Sequence, residues 1–134
     1  MKSVLIVGGS NGIGRSLVKI LLATTKVFSI SRSSSGIEHP NFKEFTCDVL
    51  TDELPSIDSI DALVYCPGSI NLKPISRLKQ EDFSNDFSIN VLGAVKLVQE
   101  YLPLLKQSKT PAILMFSSVA VKMGMPFHAS VAAS

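Results

Sequence analysis

The sequence predicts an α/β domain built on a doubly wound, parallel sheet of about five strands. Three observations predict it. Short apolar runs alternate with stretches of helical periodicity, the first run ends in a glycine-rich turn, and residues with useful chemistry follow the runs directly. The 134 residues suit one domain. With 46% apolar and 18% charged residues, extended disorder is excluded. Two cysteines, Cys47 and Cys66, are too few for a disulfide scaffold. The 13 Lys and Arg against 11 Asp and Glu are not gathered in blocks, which speaks against nucleic-acid binding. No apolar run is long enough to span a membrane, and the run after Lys2 breaks at Gly8-Gly9, too early for a signal peptide. A reduced, soluble, cytoplasmic domain without a metal site is expected.

Each element follows in order. Val4–Val7 reads as a strand buried on both faces. Ile13, Leu17, Ile20 and Leu21 then form an amphipathic helical stripe. Val27–Ile30 is the second strand and Phe42–Thr46 a weaker third, interrupted by Lys43 and Glu44. Ile60–Tyr65 is the fourth, closed by Pro67-Gly68. Phe83, Phe87, Val91, Ala94, Val95, Val98 and Leu102 hold helical spacing until Pro103, which should bend or end the helix. Ala112–Phe116 is the fifth strand, and Ala129–Ser134 looks like a helix beginning. In such sheets ligands bind beyond the carboxyl ends of the strands. Function therefore belongs at Gly8–Gly14, Ser31-Arg32, Cys47-Asp48, Cys66–Gly68 and Ser117-Ser118.

Gly8, Gly9, Gly12 and Gly14 occupy a strand-to-helix turn whose free amides and positive dipole end suit a pyrophosphate. The same glycines also fit plain tight βα packing. No Gly-Lys-Ser/Thr follows, which argues against a nucleotide-triphosphate loop. The second strand ends at Ser31-Arg32 with no carboxylate to grip a ribose 2′-hydroxyl. Arg32, helped by Arg15, offers a charge-assisted fork for a 2′-phosphate, so NADP is favoured over NAD. An ordinary surface arginine would look the same. Asn90 shares the helical stripe of Phe83, Phe87 and Ala94, which puts an amide on the buried face. Such an amide needs partners, in a core or in a site.

Val4–Gly14 (VLIVGGSNGIG), Cys47-Asp48-Val49, Asn90–Gly93 (NVLG) and Phe116–Ala120 (FSSVA) come in the order and spacing of the short-chain dehydrogenase/reductases, which the whole chain resembles. The resemblance implies a Rossmann-type fold and NAD(P)-dependent hydride transfer between a cofactor and a carbonyl or alcohol. It also implies homo-oligomers, as dimers or tetramers. The cofactor residues it implies are Gly8, Ser10, Asn11, Gly12, Ile13, Gly14, Asp48, Val49 and Gly68, to which the charge argument above adds Arg32. It casts Asn90 as the helix asparagine of the catalytic tetrad and Ser118 as the serine bonded to the substrate oxygen. Without it, Asp48 reads equally well as a turn carboxylate, and Ser117-Ser118 as turn formers.

The departures bear on chemistry. The family threonine before the first glycine is Val7, and its Asn-Ala-Gly is Cys66-Pro67-Gly68. The family tyrosine should fall thirteen residues after Ser118, at Val131, which cannot donate a proton. Its lysine would come directly after Ser134. His128 is a weak candidate for a substitute acid. Tyr65 and Tyr101 have no motif placing them in the crevice, and Cys66 has no adjacent base. The expected chain is thus roughly the amino-terminal half of an NADP-linked reductase of a small ketone or 3-oxoacyl thioester, its sheet incomplete and without turnover by itself. The rival is a non-catalytic dinucleotide-binding sensor or oligomer scaffold.

Overall fold

The computed structural model describes residues 1–134. Five strands form one parallel sheet in the order β3-β2-β1-β4-β5: β1 Ser3–Val7, β2 Lys26–Ser31, β3 Phe42–Thr46, β4 Ala62–Tyr65 and β5 Ala112–Met115. The helices are α1 Gly12–Leu21, α2 Gln80–Phe87, α3 Gly93–Leu105 and the single turn α4 Ala129–Ala132. The chain winds outward from β1 through β2 to β3, then returns to the other side of β1 as β4. That reversal opens a crevice at the carboxyl ends of β1 and β4.

Strand alternation sends side chains to two cores. Leu5, Val7, Phe28, Ile30, Leu63 and Tyr65 pack against Ala94, Leu97, Tyr101 and Leu105 of α3. Ile6, Val27 and Val64 pack against Val18 and Leu22 on the α1 side. Helices on opposite faces make the sheet doubly wound, as expected.

The helical stripes needed correction. In α1 the buried face runs through Gly14 and Val18 to Leu22, while Ile13 and Ile20 are 65% and 70% exposed. Their spacing fits a stripe, but the helix is rotated so that small Gly14 meets the β1 turn. The long helix is also not uniform. A wide π turn, Ser88–Leu92, joins α2 to α3 and shifts the register between them. Phe87, Val95 and Leu102 are therefore exposed, and the buried face carries Asp86, Ala94, Leu97, Tyr101 and Leu105. Asn90 lies inside the π turn and is half-buried. Pro103 does not stop α3, which continues to Leu105. So near the end, one missing amide donor is tolerated.

β5 bonds only to β4, and all four of its residues are exposed. Phe116, Val119 and Val121, which follow β5 in the chain, are exposed as well.

Candidate functional site

The glycine turn is built around one close approach. A side chain at Gly14 would collide with the carbonyl of Gly8, so the first turn of α1 can sit against the end of β1 only as glycine. Gly8 and Gly12 both have positive φ, 83° and 54°. The N-cap Asn11 makes no side-chain capping bond, and no acidic residue stands in the first turn. The leading amides of α1 are left to an outside acceptor.

Beyond this turn lies a cavity of about 360 Å³. Of the sequence-predicted residues, Gly8, Ser10, Asn11, Arg32, Asp48, Val49 and Gly68 line it. Gly12, Ile13 and Gly14 form the adjacent first turn of α1 and do not. Ser31, at the strand end singled out with Arg32, accepts the Ser10 amide on Oγ at 3.1 Å and ties β2 to the turn. Ser33 Oγ donates to Ser10 Oγ at 3.3 Å. Arg15 donates twice to the Ser35 carbonyl (3.3 and 3.2 Å), so it braces the loop after β2. Glu44 holds that loop from the other side through Ser34 Oγ and the Ser35 amide, at 2.8 and 2.9 Å. Arg32 is exposed and outside the one ion pair, Lys73–Asp82. Asp48 accepts the Leu50 amide at 2.9 Å, a turn bond that leaves its second oxygen open.

Tyr65 does reach the crevice, contrary to the sequence expectation. It lines the cavity, and its hydroxyl donates to the Ile89 carbonyl in the π turn at 2.5 Å. Any side chain at Gly93 would strike that hydroxyl. Burial, then the charge of Asp48, push the Tyr65 phenol up to about 12. Cys66 also lines the cavity as a free thiol, pushed up by burial, with no base beside it.

A second cavity, about 300 Å³, adjoins the first through Gly68 and Ser69. It brings together Asn90, Ser117, Ser118, Val131 and Ser134, with Ile70 and Val121 as apolar wall. No titratable side chain lines it. Ser118 Oγ accepts the Ala120 amide at 3.1 Å and caps the short helical turn Val119–Val121. Its proton stays free. Asn90 has both its donors engaged: Nδ2 donates to the Ser69 carbonyl (3.1 Å) and Ser134 Oγ (2.8 Å), while Oδ1 accepts the Ser69 amide (2.9 Å). The asparagine thus latches the loop after β4 to the end of α4. His128 is not brought here; it faces a third cavity and pairs with the Pro126 carbonyl at 2.6 Å.

Asp86 was missed altogether. It is fully buried on α2 and accepts Ser69 Oγ at 2.6 Å and Asn71 Nδ2 at 3.0 Å. Its spacing hid it, because a carboxylate on the buried side of a helix looks like a break in the stripe.

A parallel 3-2-1-4-5 sheet with a glycine turn closing β1 defines a Rossmann-type α/β domain. The model of the short chain dehydrogenase family matches residues 2–134, and the chain belongs to that family. An uncharacterised oxidoreductase of Schizosaccharomyces pombe is 29% identical over 92% of the chain. The chain spans 56% of that relative's length, so it corresponds to little more than half of it. Among solved structures, a short chain dehydrogenase/reductase of Saccharomyces cerevisiae superposes with a TM-score of 0.85 at 24% identity, over 98% of this chain and 59% of that one. A 4-hydroxyisoleucine dehydrogenase complexed with NADH gives 0.82 at 20% identity, over 99% and 63%. At such identities these likenesses speak for the fold. No helix is long and apolar enough to cross a membrane.

Proposed function

We propose that the chain binds a nicotinamide dinucleotide, NADP in preference to NAD, and that the protein it represents transfers hydride between that cofactor and a carbonyl or alcohol. One observation carries the reading: the crevice gathers Gly8, Asn11, Arg32, Asp48 and Gly68 around one cavity beside uncapped helix amides. The residues fit the cofactor. The α1 amides and their dipole would take the pyrophosphate, because glycine at position 14 lets the turn close beneath it. Arg32, free of ionic partners, would meet a 2′-phosphate, and Asp48 would meet the adenine side. When bound, the nicotinamide supplies or accepts the hydride. Ser118, whose proton is uncommitted, would donate a hydrogen bond to the oxygen of the reacting carbon. Asn90 keeps the wall in place rather than moving a proton, since an amide does not titrate and both its Nδ2 hydrogens are taken.

A second reading, a non-catalytic dinucleotide sensor or scaffold, is favoured by the second cavity itself. Val131 stands in the place of the family tyrosine, and no lining residue can exchange a proton near neutral pH. Nicotinamide fluorescence separates these readings from an inert fold. NADPH should bind more tightly than NADH, and Arg32→Glu should reverse the order by about tenfold or more, the scale of one charge-assisted contact. Binding of neither nucleotide would sink both readings. Against a panel of ketones, the chain should bind NADPH without oxidising it. Turnover abolished by Ser118→Ala would overturn that expectation.

A further inference from the structure

The cofactor crevice has one cation. Arg32 and Asp48 are the only charged side chains lining the cavity of about 360 Å³ beyond the glycine turn. Arg32 is exposed and has no ionic partner, so its position depends on the backbone that carries it.

That backbone is a short span pinned at both ends. At one end Ser31 closes β2: its carbonyl accepts the Cys47 amide at 2.9 Å, and its hydroxyl accepts the Ser10 amide at 3.1 Å. At the other end Ser35 is buried and gripped from two sides. Glu44 on β3 accepts the Ser35 amide on both carboxylate oxygens, at 2.9 and 3.1 Å, and the Ser34 hydroxyl at 2.8 Å. Arg15 on α1 donates Nε and Nη2 to the Ser35 carbonyl, at 3.3 and 3.2 Å. Arg32, Ser33 and Ser34 are therefore held between a strand end and a clamp. In the middle of the span, Ser33 Oγ donates to Ser10 Oγ beside the first turn of α1.

The signs of the charges separate this clamp from a direct electrostatic effect. Arg15 and Glu44 do not pair with each other, the one salt bridge being Lys73–Asp82; each is engaged by the loop. A carboxylate near a phosphate site repels the phosphate. Glu44 can favour a 2′-phosphate only by holding the loop, so its two effects oppose each other.

We infer that Glu44 is a positioning residue for cofactor choice: by clamping Ser34 and Ser35 it holds Arg32 where a 2′-phosphate meets it, and so sets the preference for NADPH over NADH. A loop ordered before binding spares the ligand the entropy of ordering it. NADH has no 2′-phosphate and gains nothing from a well-placed Arg32. Arg15 keeps its hold on the Ser35 carbonyl when Glu44 is lost, so the effect is partial. The inference rests on the reading of this crevice as the NADP site.

Nicotinamide fluorescence titration of the full chain with NADPH and NADH tests it. In Glu44→Ala, NADPH should bind about fivefold more weakly while NADH stays within about twofold. Glu44→Gln keeps an acceptor oxygen without the charge and should retain the parent ratio within about twofold. Ser34→Ala removes one exposed hydrogen bond of the clamp and should lower the ratio about threefold. Urea unfolding reports the folding of each variant, and Ser34→Ala decides the matter if Glu44→Ala does not fold. An NADPH-to-NADH ratio that is unchanged or raised in Glu44→Ala overturns the inference, a rise being the signature of lost repulsion. So does a parallel loss of both nucleotides, which marks a merely structural role, or a Glu44→Gln variant that falls as far as Glu44→Ala. If Glu44→Ala is unfolded, an unchanged ratio in Ser34→Ala overturns it instead. A parent chain that binds both nucleotides equally, or neither, fails the cofactor reading and this inference with it. Preference in the parent chain with no change in the variants fails the inference alone.

Discussion

Asp86 shows how one side chain can shape several properties. Burial opposes its ionisation, but the neighbouring Ser130 hydroxyl and the hydrogen bonds from Ser69 and Asn71 outweigh it and hold the carboxyl below its ordinary value of 3.8. A depressed folded-state value contributes stability above the unfolded value, and that stability is lost as pH falls through the folded one. The midpoint of thermal unfolding should therefore fall below about pH 4. Asp86→Asn should flatten that fall relative to the parent chain, leaving the slope from Asp52, Asp61 and Asp82, which are also lowered. Identical acid slopes for both proteins would show that Asp86 is not held ionised. Tyr65 acts on the other side of the crevice. Tyr65→Phe strips the Ile89 carbonyl of its donor and should cost about 1–3 kcal/mol in denaturant unfolding. Alkaline titration of the parent chain should show a phenol ionising only near pH 12, and that step should be missing in the same variant.

At the scale of elements, the β1–α1 turn and the π turn decide where functional groups stand. Gly14→Ala forces a methyl group against the Gly8 carbonyl, and backbone cannot swing aside as a side chain can. It should destabilise the fold by about 1–3 kcal/mol and weaken NADPH binding beyond what the stability loss explains, measured by urea unfolding and fluorescence together. The Gly12→Ala control meets no atom within 4 Å, and its positive φ makes it strained rather than crowded. The π turn has the opposite logic. Five residues in a widened turn reset the register, so that Ala94, Leu97, Tyr101 and Leu105 face the sheet while Asn90 meets the loop after β4. Periodicity along 83–102 reads as one continuous helix because a single inserted residue leaves apolar positions on both sides of it. That is why the stripe named Phe87 and Leu102, which are exposed, and passed over Leu97 and Tyr101.

Across the whole molecule, the balance of buried surface is uneven. The centre of the sheet is covered on both faces, whereas β5 carries Ile113, Leu114 and Met115 in the open, 43% to 51% exposed. An uncovered parallel edge with apolar side chains invites pairing. The 134-residue chain should therefore self-associate in light scattering, and Leu114→Lys should shift it towards monomer; a monomeric parent chain would refute this. The five strands, the glycine turn and the family were legible in the sequence, because apolar runs, glycine spacing and short motifs are local properties of neighbouring residues. Local spacing also marked Ser118, Arg32 and Asp48 as candidates. What only the tertiary structure decided is which groups meet. It put Tyr65 on the π turn, consumed Arg15 and Asn90 in bracing, left His128 outside the Ser118 cavity, and drew Asp86 beneath Ser69. Hydrogen-bond polarity belongs to pairs of groups brought together from distant parts of the chain. Sequence specifies each donor and acceptor, and only packing determines which of them are already spent.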